Sequence, residues 1–129
     1  MNKILVEVSV GELLDKLSIL EIKQEKIKDS EKLKYILDEY KVLKDQLSKN
    51  VKSDEKLDNL FSSLKNINSK LWVIEDDKRL CEKDSDFGEK FIKLSRDVHF
   101  LNDDRAKIKL EINNHTGSKI KEIKEYTKY

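Results

Sequence analysis

The 129-residue sequence has no proline, three glycines, one cysteine and, among its 27 basic residues, three arginines. Without proline, and with Gly11, Gly88 and Gly117 as its few breakers, it lacks the punctuation of a turn-rich β fold, so long helices are expected. The lone Cys81 excludes an internal disulfide, and neither His99 nor His115 has a cysteine or second histidine at ligand spacing, so no metal site is expected. A Gly-rich phosphate loop, a nucleophile elbow and the Glu-x-x-His pair of di-iron bundles are all missing, which leaves no motif for a cofactor. No apolar run approaches the ~20 residues that cross a bilayer. The opening "MNKILVEVSV" lacks the apolar core and small-residue cleavage site of a signal peptide, so the chain reads as cytoplasmic with no membrane partner. Charge of one sign is missing too: 27 basic and 26 acidic residues interleave to a net +1, a balance that gives nucleic acid no field to follow.

What is present is charge in quantity. Charged residues make up 41% of the chain and hydrophobic ones 37%, against averages of roughly 25% and 45–50%. Such a chain must confine its apolar residues to narrow stripes, and the stripes read as helices over about 10–28, 31–49, 54–82 and 86–114 of a single domain, 1–129. Ser9 and Glu12 form a capping box for the first helix, Ser30 caps the second, and Asp86 with Glu89 makes an acidic variant for the fourth. The second helix carries a clean heptad stripe, Leu33, Ile36, Tyr40, Leu43 and Leu47, and "HTGSK" supplies a glycine stop for the fourth. Residues 1–9 read as a strand-like arm. The tail, 115–129, is open between a short helix and a strand paired with residues 3–8.

Four such helices make an all-α fold, an antiparallel four-helix bundle built from two helical hairpins. The last two helices, roughly 40 Å each at 1.5 Å per residue, outreach the first two. Their ends are left uncovered, which suggests a homodimer.

Polar residues interrupt the inner faces. Arg105 stands where the series Phe87, Phe91, Leu94, Val98, Leu101, Ile108, Ile112 calls for a hydrophobe, flanked by Asn102 and Lys109. On the third helix Asn68, Glu75 and Arg79 share the inner arc with Trp72 at its edge, and on the first Glu21 falls between Leu14 and Leu17. Lysine fills every ordinary basic position, so each arginine marks a place suited to a planar, permanently charged fork. The hairpin register sets Arg105 beside Asn68 and too far from Glu75 to pair with it. Arg105 then needs another acid, for which Glu21 is the expectation, while Arg79 stays with Glu75 or Glu82. Glu12 with Asp15, and Glu55 with Asp58, read as solvated pairs, and Cys81 as a small core residue. Two readings of the inner cluster stand: a matched structural network, or a pocket that holds a small anion with Arg105 and Arg79 as donors and Trp72 as a wall.

The segments "VSVGELLDKLSILEIK", "LWVIEDDKRLCE", "SDFGEKF" and "FLNDDRAKIKLEIN" together resemble a family of small uncharacterised bacterial proteins defined as a domain of unknown function. The resemblance implies that Glu21, Asn68, Trp72, Glu75, Arg79, Asn102 and Arg105 belong to the family's pattern, and it implies no activity. A second likeness is to the all-α chorismate mutases, helical dimers that bind a dicarboxylate through arginines and lysines. Basic residues on inner faces match that pattern, but the first helix has no arginine where that family requires one.

The functional expectation is an interaction or assembly module, working through its surface, including the heptad face of the second helix, with a protein partner or a second copy. The alternative is a binding module or enzyme whose inner polar cluster holds a small anion.

Overall fold

The computed structural model describes residues 3–129. Among them it contains four helices, α1 (Val10–Lys26), α2 (Ser30–Asn50), α3 (Glu55–Lys83) and α4 (Glu89–Thr116), packed as an all-α four-helix bundle. Each start is set by local chemistry. Ser9 Oγ accepts from Glu12 N at 3.0 Å and Asp54 from Leu57 N at 2.8 Å, satisfying donors that have no intrahelical partner. At α2 the cap is Asp29, whose carboxylate takes the amides of Glu31 and Lys32, and Ser30 is already helical. At α4 the cap is Gly88, without a side-chain bond. Asp86, expected to serve there, accepts from Gly88 N instead. Gly117 ends α4 at φ 66°, a left-handed position that glycine takes without the Cβ penalty.

The expected strand-like arm is not a strand. Residues 1–2 lie outside the described residues, and 3–9 run without helix or ladder, with Ile4, Leu5 and Val6 largely in solvent. A strand needs an edge to pair with, and among the described residues the chain offers none. The tail beyond Ser118 likewise forms neither helix nor strand.

α1 is the element the others gather around. It packs against α2, α3 and α4, whereas α2 approaches α1 alone at close backbone range. Its buried residues, Gly11, Leu13, Leu14, Asp15, Leu17, Ser18, Leu20 and Ile22, nearly encircle it, while α2 has none that is fully buried. Leu13, Leu14 and Leu17 join Leu57, Leu64 and Ile112 in the core, with Tyr40, Leu43 and Leu47 packed on its edge. The heptad face of α2 is therefore turned to the core and is not the free surface expected of it.

Polar contacts fix how α1 lies. Gly11, Glu12 and Asp15 meet Asn113, Lys109 and Arg105 of α4 in turn, and Asp15 and then Glu21 meet Asn68 and Lys65 of α3. Along α1 the partner numbers fall on α4, from Asn113 to Arg105, while on α3 Asp15 and Ser18 share Asn68 and Ile22 lies with Leu71 and Trp72, so at this crossing α1 runs antiparallel to α4 and in the direction of α3. Beyond the crossing, Cys81 is the one buried residue described between 72 and 107. The far half of the hairpin is a two-layer arm with Val73, Leu80, Phe87 and Ile92 exposed.

The crossing is close because Gly11 has no side chain. A Cβ there would stand 2.6 Å from the Lys109 carbonyl oxygen and 3.0 Å from Asn113 Oδ1. The same Asn113 oxygen accepts the Gly11 amide at 2.7 Å. Helix propensity alone favours alanine by about 1 kcal/mol, but the clash is with backbone and reverses the sign. Gly11→Ala is expected to destabilise the protein by about 1–3 kcal/mol, the range for overpacking, in urea unfolding. A more stable variant would show that α1 and α4 separate freely.

Candidate functional site

On α1 the positions Gly11, Asp15, Ser18 and Ile22, spaced 4, 3 and 4, form one buried line facing the hairpin. Asp15 is its centre. Arg105 grips that carboxylate in a bidentate pair along one edge of its guanidinium, Nε to Oδ1 at 2.9 Å and Nη2 to Oδ2 at 2.5 Å. Asn68 donates to the same Oδ1 at 2.9 Å and to Ser18 Oγ at 2.8 Å, and Ser18 donates to the Asp15 carbonyl. Lys109 Nζ lies 3.8 Å from Asp15 Oδ2 and binds Glu12 at 2.7 Å. Burial alone would raise the Asp15 carboxyl, but the bonds from Arg105 and Asn68 and the charges of Arg105 and Lys109 outweigh it and hold it below its ordinary value. Arg105 is raised in turn by its bond to Asp15.

Two expectations are thereby corrected. The acid that answers Arg105 is Asp15, not Glu21. Six residues on from Asp15, Glu21 stands about 120° round the helix, where it accepts from the Tyr40 hydroxyl at 3.1 Å and from Lys65 at 3.2 Å. Glu12 and Asp15 are not a solvated pair: both are bound to α4, and Asp15 is fully buried. The line of Gly11, Asp15, Ser18 and Ile22 is the sequence signal that would have found Asp15. Small and polar residues in helical register mark a close polar crossing as surely as leucines mark a core.

The candidate residues fall into two groups. Asn68, Arg105 and Lys109 belong to the Asp15 network, with Asn102 at its edge accepting from Arg105 Nη1 at 3.4 Å. Trp72, Glu75 and Arg79 line a cleft of about 340 Å³ on the other side of Arg105, with Ile19, Ile22 and Leu71 as its apolar wall and Asp76 at its rim. Asn68 and Arg105 also reach this wall. Arg79 pairs with neither Glu75 nor Glu82, and it has no ion pair or hydrogen bond among the described residues. A smaller chamber, about 140 Å³, lies on the opposite side of Arg105 between Glu12, Asn102, Lys109 and the tail residues Glu122 and Lys124. Cys81 is a buried core residue.

Arrangement and charge together allow the cleft to bind but show no reacting group. It has an aromatic and aliphatic floor, one unpaired guanidinium, two carboxylates at its edge, and an arginine whose fork has donors to spare. Of the five N–H groups of Arg105, Nε, Nη2 and Nη1 account for one bond each, leaving two.

A family model described as a family of unknown function (DUF6165) matches residues 4–129. No curated protein and no solved structure matches the chain. Among the described residues no helix is long and apolar enough to cross a membrane.

Removing one partner from a buried pair costs about 3–5 kcal/mol. Since 28% of the Arg105 side chain is exposed, Arg105→Met is expected at the lower end of that range by urea unfolding, with part of the loss recovered when Asp15→Leu is added. Acid gives an independent check. A carboxyl lowered on folding contributes stability above its unfolded pKa, about 3.9, and loses it as pH falls through the lower folded value. The stability gap between the natural chain and Asp15→Asn should be full at pH 7 and close below about pH 4. A gap that stays constant down to pH 2 would mean that Asp15 is not bound as a carboxylate.

Proposed function

Since the chain belongs to the family of unknown function DUF6165, we propose on the strength of its geometry that it is a small-molecule binding module. Its ligand is a small organic anion held in the Trp72 cleft. The observation that carries this reading is Arg79: exposed at the wall of a 340 Å³ cleft, it has no ion pair or hydrogen bond among the described residues, so its fork is free for a ligand. Ligand sites have this composition, a mainly apolar pocket of about 300–1,000 Å³ with a few polar groups that fix orientation. A carboxylate or phosphate placed between Arg79 and the spare N–H groups of Arg105 meets two planar forks. The apolar body then lies on Trp72, Ile19, Ile22 and Leu71, and Glu75 and Asp76 are placed to accept from a hydroxyl or ammonium on the same molecule. Arg105 has a double duty here, clamping Asp15 with one edge and lining the cleft with the other.

Trp72 is the single tryptophan of the chain, so its fluorescence reports on this cleft. A screen of small carboxylates and phosphates is expected to yield a saturable change in Trp72 emission. Arg79→Leu should weaken that binding at least tenfold while shifting the melting temperature little, because Arg79 is exposed and makes no ion pair or hydrogen bond among the described residues. Equal binding by Arg79→Leu, or no binder in the screen, would remove the reading.

The bare far half of the hairpin favours a second reading, self-association. Val73 and Leu80 of α3, Ile92 of α4 and Phe87 in their connection are exposed there with no third layer. A pairing of two such arms would complete a four-helix layer. Sedimentation of the natural chain should then give a dimer at micromolar concentration that Ile92→Lys converts to monomer; a monomer in both cases refutes it.

A further inference from the structure

The tail, residues 118–129, returns along α4 instead of leaving the molecule. At its start Ser118 Oγ accepts the Val10 amide at 3.2 Å. Lys121 Nζ reaches Asn114 Oδ1 at 2.9 Å, and Glu122 reaches Lys109 Nζ at 3.4 Å. At its end Tyr129 bonds through its hydroxyl to Asp103 and packs edge-on against His99 and Phe100. In this way the tail crosses the mouth of the 140 Å³ chamber, whose walls include Arg105, Lys109, Asn102 and Glu12.

The three carboxylates of that chamber are not equivalent. Asp15 and Glu12 come from α1 and hold their cations at 2.5 and 2.7 Å. Glu122 comes from irregular chain, its shortest contacts, to Lys109 and Lys124, are both 3.4 Å, and 48% of its side chain is exposed. Lys109, by contrast, is 11% exposed and fixed between helices. The site is thus a rigid, buried ammonium beside a guanidinium, closed by a carboxylate on a loosely held strap. Surface ion pairs of Glu122's kind contribute little to stability.

We infer that this chamber is a second binding site, for a small oxyanion of the phosphate or carboxylate type, and that Glu122 is its built-in occupant, exchanged when the external anion enters. For a monoanion, charge is conserved in the exchange. Arg105, Lys109 and Lys124 face Glu12, Asp15 and Glu122 before it, and the external anion takes the place of Glu122 after it. The chamber holds a tetrahedral or planar oxyanion and little more, which separates it from the larger Trp72 cleft on the far side of Arg105. Entry of the anion frees the middle of the strap, carrying Ile123 and Tyr126 with it.

The test is a titration of the full chain with inorganic phosphate and, separately, acetate. Binding is followed by calorimetry and by the NMR signals of Ile123 and Tyr126. Glu122 is half-exposed and reaches Lys109 only at 3.4 Å, so Glu122→Gln is expected to fold normally and to bind phosphate at least threefold more tightly than the natural chain. In the natural chain the Ile123 and Tyr126 signals should move toward random-coil positions as phosphate saturates. Arg79→Leu, which disables the Trp72 cleft, should leave both results unchanged. Equal affinity in Glu122→Gln, or no phosphate or acetate binding by either protein, overturns the inference. Binding lost in Arg79→Leu overturns it as well, because the anion then sits in the cleft.

Discussion

The buried carboxylate of Asp15 is the constraint on which the arrangement depends. It stands where α1, α3 and α4 meet, bound at once by Arg105 of α4 and Asn68 of α3. Leucines on α1 supply the driving force for packing, at about 1.5–3 kcal/mol for each side chain fully buried, but greasy contacts tolerate sliding. A shift of α1 by one turn carries Asp15 about 5.4 Å away and strands a charge inside the protein, a cost of several kcal/mol. The pair therefore adds little net stability and much selectivity for one crossing. Gly11 serves the same crossing from the steric side, since the distance that suits the Asp15 network leaves no room for a Cβ.

That crossing also creates the cleft. α1 has 17 residues while α3 and α4 have 29 and 28, so a helix pinned at Asp15 cannot cover the hairpin to its tip. Ile19 and Ile22, on the last turns of α1, become one wall, and Trp72, Glu75 and Arg79 on the continuing α3 become the other. Had the network been built from Glu21, as the wheel position of that residue suggests, α1 would meet Arg105 six residues later. α1 would then be drawn back by about 9 Å, and Ile19 and Ile22 would no longer stand opposite Trp72. The structural pair and the open site are consequences of one register.

Much of this was legible in the sequence. Periodicity places the four helices, because a stripe of leucines is a local property of the chain; of the caps read from the sequence Ser9 serves, while Asp29 and Gly88 stand in for Ser30 and Asp86. The adjacency of Arg105 and Asn68 follows from hairpin register, and both do meet at Asp15. What escaped was the partner of Arg105. On α1 the leucines advertise one face, and the small, polar line beside them reads as surface until it is known that three helices surround α1. The heptad of α2 misled for the converse reason: a stripe reports that a face is covered, not by what. In the opening residues the alternation of "KILVEV" expresses β propensity, but propensity without a neighbouring edge produces no strand.

The arginines carry the functional argument furthest. In a chain that otherwise writes lysine, each arginine stands where a planar fork has a different use from a point charge. Arg105 spends its fork on a bidentate carboxylate. Arg96 lies over the Phe100 ring, 5.8 Å from its centre, a cation–π contact that Lys78 also makes over Phe91 at 5.7 Å. For these two the structure supplies a partner within the protein. Arg79 has the same unusual identity and no ion pair or hydrogen bond among the described residues, yet it lines the cleft that holds the single tryptophan. A residue type reserved elsewhere for planar recognition, left unpaired at a cleft, is better accounted for by a planar anion from outside than by solvation, which lysine would serve equally well.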